Sequence, residues 1–186
     1  MRSKHSIRGG LAALCLVAGA SAATLEQLSL ADLVTKSTAI VRGTVQDSSV
    51  SVSGAVIYTH YAIRVSEQLK GPATSAATVE VVLPGGKANG VVQRFAGVPQ
   101  FQAGDEYVFF LWTGASGRTQ LTGLTQGLFA VGTPGAANPV LTRAASQEAM
   151  LDARTHRPVQ SPALSMTLAQ LRSQIASALA APGANQ

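Results

Sequence analysis

Cysteine is almost missing from this chain: the single Cys15 is the only one in 186 residues. It lies in an N-terminal apolar run, so the rest of the chain has no thiol nucleophile and no disulfide, and must be held by its core. Charge is also sparse. Only 12% of residues are Asp, Glu, Lys or Arg, while Ala, Gly, Val, Leu and Thr abound, a globular composition with many turns in a length that suits one domain. Histidine is limited to His5, His60 and His156, and no second ligand stands at zinc spacing near the last two. No metal or other cofactor is therefore expected. The longest apolar run near the start, Leu11 to Ala20, is too short to cross a bilayer.

That run has the flanks of a secretory signal peptide. Arg2, Lys4 and Arg8 precede it and Ser21-Ala22-Ala23 follow it, so residues 1–23 are expected to be removed on export to the periplasm or the exterior. Leu14 stands where lipidation of Cys15 needs a small residue. Cleavage changes the charge. The 14 Lys and Arg lose 3 and leave 11 against 9 Asp and Glu, a net charge of about +2, which removes the main support for a nucleic-acid partner. No membrane span is expected after cleavage.

The rest is organised around YTHYAIRVSEQLKG, residues 58–71. Tyr61, Ile63 and Val65 alternate with His60, Arg64 and Ser66, as in a strand with one buried face. Before it, Ser29 and Asp32 form a capping pair for a short helix from Leu30. A strand follows over 39–46, with Gly43 marking a bulge or a bend where another backbone comes close. The polar stretch 47–54 reads as the hairpin connection. Later strands are expected over 78–83, 106–112, 118–122, 127–131 and 140–143. The run EYVFFLW, 106–112, is continuously apolar apart from its first residue and suits a strand buried on both sides. After 145 a linker leads to Leu168, Leu171, Ile175 and Leu179 at helical spacing, in a helix docked by one face or used to meet a partner, with a loose tail from Ala181.

Catalytic signatures are absent. Ser116 in GASG lacks the spacing of a nucleophile elbow. Gly85-Gly86-Lys87 lacks the earlier glycine of a phosphate loop and has Ala88 in place of the hydroxyl residue. Asp105 and Glu106 are adjacent on a strand and point to opposite faces, so capping a turn is the reading preferred for them. His60 and His156 read as structural. What remains is the glycine- and proline-rich stretch 84–104, longer than most loops inside compact domains and so a candidate for function. Asn89-Gly90 suits a small hairpin within it. Lys87, Asn89, Arg94, Phe95 and Phe101 are its candidate binding residues.

The order AIVRGTV, YTHYAIRVSEQLKG, a GG with a glycine-rich loop, FQAGDEYVFFL and GLTQGLFAV resembles a widespread group of small exported bacterial proteins without established function. More distantly it is similar to the netrin-like module of tissue inhibitors of metalloproteinases. That resemblance covers residues 28–131 and implies a five-stranded barrel of the oligonucleotide/oligosaccharide-binding type. The expected fold is mainly β, a small antiparallel barrel or strongly bent sheet of five to six strands over 24–145 with flanking N- and C-terminal helices, then 146–186 as linker, helix and tail. Those inhibitors act through an N-terminal cysteine that this chain lacks, so no inhibitory residue carries over. The expected function is a non-enzymatic exported binding module, using the 85–104 loop against a protein or glycan of the cell envelope or exterior. The alternative is a protease-inhibitor-like module without the cysteine mechanism.

Overall fold

The computed structural model describes residues 25–72, 77–146 and 149–181; the expected signal peptide and the end of the tail lie outside them. The chain opens with β1 (Leu25–Glu26) and α1 (Leu30–Lys36). Ser29 Oγ accepts from Asp32 N at 3.1 Å and Asp32 Oδ2 accepts from Ser29 N at 3.0 Å, the capping box its sequence predicts. At the other end, Lys70 Nζ donates to the carbonyls of Val34 at 2.6 Å and Ser37 at 2.7 Å, placing a cation at the negative end of the helix dipole.

β2 (Ala39–Ser53) and β3 (Val56–Lys70) form one long antiparallel hairpin. The polar stretch 47–53, expected as a connection, is strand. Its partner supplies a ladder to the very end, Val52 opposite Ile57 and Ser53 opposite Val56, and Gly54, at φ 59°, closes the turn. Pairing across the hairpin outweighs the weak strand preference of Ser and Asp. Gly43 does mark a bulge: the register shifts beside it, and a Cβ there would lie 2.7 Å from the Arg64 carbonyl oxygen.

Then come β4 (Thr78–Pro84), the small hairpin β5 (Gly86–Ala88) and β6 (Val91–Gln93), β7 (Glu106–Thr113) and β8 (Thr119–Leu121). A 3-10 turn, Leu124–Gly127, leads to β9 (Leu128–Val131) and β10 (Val140–Arg143). β11 (Met150–Leu151), β12 (Pro158–Val159), β13 (Leu164–Thr167) and α2 (Leu168–Ala180) complete the chain. The protein is mainly β, with antiparallel pairing in its main sheet and two helices.

The expected closed barrel of five to six strands is not found among the described residues. The main sheet has eight strands in the open order β13-β10-β9-β7-β2-β3-β4, with β8 also on β7. β8 and β9 share one edge of β7, on either side of the 3-10 turn, and β9 carries the sheet on to β10 and β13. β4 and β8 come within 8 Å, yet no ladder joins them. The sheet is led outward instead of closing.

β7 is buried on both sides over 108–111, as its composition predicts, whereas Trp112, expected in the same buried run, is 47% exposed. Val108 and Phe110 face a layer with Ile40, Phe129, Leu33 of α1 and Leu168, Leu171 and Ile175 of α2. Phe109 and Leu111 face the opposite layer, with Val41, Ile63, Val81 and Leu83. The C-terminal helix is thus docked by one face; Leu179, the last residue of its apolar stripe, is 40% exposed. No helix among the described residues is long and apolar enough to cross a membrane.

Gln126 ties the N-terminal segment to this body. It is buried, its Oε1 accepts from Leu28 N at 2.8 Å, and its Nε2 donates to the Glu26 carbonyl at 3.0 Å. Gln126→Leu leaves both backbone groups without that partner and is expected to cost about 1–3 kcal/mol, read as a lower urea midpoint.

Candidate binding cleft

The stretch 84–104 is largely structured. Asn89 and Gly90, at φ 50° and 77°, make the tight turn between β5 and β6, as Asn-Gly favours. Gln93 clamps this small hairpin onto the tip of the long one: its Oε1 accepts from Ile57 N and its Nε2 donates to the Ala55 carbonyl, both at 2.7 Å. Gly85 N donates to the Ile57 carbonyl at 2.7 Å, and Thr59 Oγ1 donates to the Gly85 carbonyl at 2.7 Å. Gly86, at φ 139°, has no room for a side chain, since a Cβ would lie 2.7 Å from Thr59 Oγ1. A rigid wall results, and a cleft of about 240 Å³ lies between it and the strand floor.

Thr59 and Tyr61 of β3 and Leu83 of β4 line the floor, with Pro84 beside them; Arg94, Phe95 and Gln100 belong to the wall. Arg94 makes no hydrogen bond or ion pair among the described residues. Phe95 beside it is 42% exposed. Tyr61 is only 5% exposed, and its hydroxyl bonds no protein group among the described residues. No Asp or Glu lines the cleft, so its field is set by the Arg94 guanidinium.

The structure divides the five sequence-derived candidates. Arg94 and Phe95 meet at the cleft, while Lys87 and Asn89 sit exposed on the small hairpin, outside its lining. Phe101 is a correction. It is buried at 8% exposure, with its ring 4.9 Å from Tyr61, 5.3 Å from Tyr107 and 5.7 Å from Phe109, centroid to centroid. Apolar area next to a rigid aromatic core is withdrawn from water, so Phe101 supports the floor from beneath and is no surface contact. Burial, and then the Asp105 carboxylate, push the Tyr107 phenol above its usual pKa.

Sequence reasoning missed several polar partners. Asp105 caps a turn as expected, accepting from Gln102 N at 2.8 Å. Glu106 does something else: its Oε1 accepts from Arg42 Nε at 2.7 Å and its Oε2 from Gly135 N at 3.0 Å, with both charged side chains buried. An opposite charge inside each of two apolar strands was the available signal. His60 bridges three strands, its Nε2 2.7 Å from Ser51 Oγ and its Nδ1 3.2 Å from Glu80 Oε1. That is the hydrogen-bond order of a nucleophile, base and orienting acid. It lies open to water, however, with the Glu80 side chain 64% exposed, and acyl transfer needs donors preorganised in a water-excluded site. We read it as a cross-strand clasp.

Among the described residues no group of three His, Cys, Asp or Glu side chains is placed to hold a metal ion. No protein-family model matches the chain, and no curated protein is similar enough to it to count as a match.

Proposed function

We propose that the chain is an exported, non-enzymatic binding module that meets its partner, a protein or glycan of the cell envelope or exterior, at the cleft walled by Arg94 and Phe95. One observation carries this reading: an unpaired guanidinium and an exposed phenyl ring stand side by side on a wall that Gln93 and Thr59 hold rigid. Exposed aromatic and Arg side chains on a preorganised scaffold are what binding hot spots are made of, because little entropy is lost when the partner arrives.

A protease-inhibitor-like role is the alternative. It would work through the same loop, since Leu25 and Glu26 are paired with Met150 and Leu151 and an inserted N-terminal segment would first have to leave that ladder.

The test is the double variant Arg94→Gln/Phe95→Ser, which leaves Phe101 in place. Its melting temperature is expected to stay within about 2 °C of the parent, as for surface changes worth under about 0.5 kcal/mol. Capture of the envelope partner by the immobilised variant is expected to disappear. Undiminished capture places the contact surface elsewhere.

A further inference from the structure

We infer that the cleft takes a uronate residue of an acidic glycan; this deepens the binding-module reading and rests on it. Three features of the cleft point to it, the first being its free polar groups. Thr59 and Gln93 spend their side chains on the Gly85, Ile57 and Ala55 backbone. Left free for a ligand are the Arg94 guanidinium, the Gln100 amide and the Tyr61 phenol, none with a partner among the described residues. Two of the three donate and accept, which suits sugar hydroxyls, and the third is a fixed cation that suits a carboxylate. With no acidic residue in the lining, an anion meets no repulsion there.

The second is the backbone. Extended peptides dock by adding to a free strand edge. β3, which carries Thr59 and Tyr61, offers none, because it is paired with β2 on one side and β4 on the other; among the described residues the unladdered edge at this end of the sheet is the far side of β4. Recognition falls to side chains. The third is size and shape: about 240 Å³ is below the roughly 300–1,000 Å³ of pockets for drug-sized ligands. It suits a single ring laid against Phe95, with the chain continuing out of the open side. Tyr61 is nine-tenths buried, so its ring is held in place by the aromatic cluster beneath it and its hydroxyl is presented to a ligand in a fixed position.

Calorimetry with the chain starting at Thr24 tests this, using a galacturonate trimer, its carboxyl-reduced trimer and a glutamate-rich peptide. The uronate trimer is expected to bind saturably, and the reduced trimer about tenfold or more weakly, as loss of a charge-assisted hydrogen bond implies. Arg94→Gln should weaken uronate binding by a similar factor and Tyr61→Phe by about fivefold, whereas Arg154→Gln, on the β11–β12 turn outside the cleft lining, should leave it unchanged. Equal binding of the reduced trimer overturns the carboxylate assignment. Binding of the peptide but of neither sugar, or of none of the three, overturns the glycan. In those cases the binding-module reading still stands if Arg94→Gln/Phe95→Ser abolishes partner capture, and falls with the inference if capture is undiminished.

Discussion

Glu106→Gln is expected to lower the stability of the protein by about 3–5 kcal/mol, because it leaves the buried Arg42 guanidinium without its counter-charge. Among the described residues the Arg42 guanidinium has only the Ala136 carbonyl, at 3.0 Å, as a further partner, and a carbonyl does not neutralise it. The amide has one acceptor oxygen where the carboxylate has two, so it serves Gly135 N or Arg42 Nε and turns its NH2 toward the other donor; a hydrogen bond is lost together with the charge. Replacing both partners, as Arg42→Met/Glu106→Leu, removes the two desolvated charges together and should recover most of the loss, since an apolar pair of similar volume is often neutral or better. Urea unfolding of Arg42→Met, Glu106→Leu and the double checks this: the singles shift the midpoint with an unchanged slope, and the coupling between them exceeds about 2 kcal/mol. Strictly additive singles would mean that water reaches the pair.

Phe101→Ala should cost a comparable amount, about 3–5 kcal/mol, the usual range for deleting a buried phenyl ring. The ring lies between Tyr61, Tyr107 and Phe109, which are anchored on paired strands and cannot collapse fully into the space. Tyr61 would lose its edge-to-face neighbour, so ligand affinity at the cleft should fall along with the melting temperature. Phe95→Ala is the contrast: the same chemical change, six residues earlier, should leave melting nearly unchanged and remove binding. Equal melting losses for the two would show that Phe95 is also core.

That pair of phenylalanines shows where sequence stops. Both stand in a segment crowded with glycine and proline, where neither a two- nor a 3.6-residue period assigns a face, and what separates them is contact with Tyr61 of β3, far back in the chain, and with the β7 strand that follows. Where the signal is local it reads well. The Ser29–Asp32 capping box, the Asn89-Gly90 turn, the bulge at Gly43 and the two-sided burial of β7 follow from near neighbours and side-chain period. Residues 47–53 read as a loop because their strand character comes from β3, and 165–167, expected as the first turn of the C-terminal helix, are strand because β10 pairs with them. Open sheet against closed barrel is decided by the 3-10 turn between β8 and β9, a feature of four residues. The buried pair spans 64 positions. At the cleft, Arg94 and Phe95 were legible from the loop's composition; the Tyr61 floor was not, since its alternation marks it as core.

The most direct measurement is backbone amide chemical-shift mapping of the labelled protein during titration with its captured partner or with the galacturonate trimer. Shifts should concentrate at Gly85, Arg94, Phe95, Val98 and Gln100, which line the cleft, with smaller changes at Tyr61. Shifts confined to the exposed side of α2, or to the β10–β13 edge, would contradict a cleft walled by Arg94 and Phe95 as the working surface of this protein.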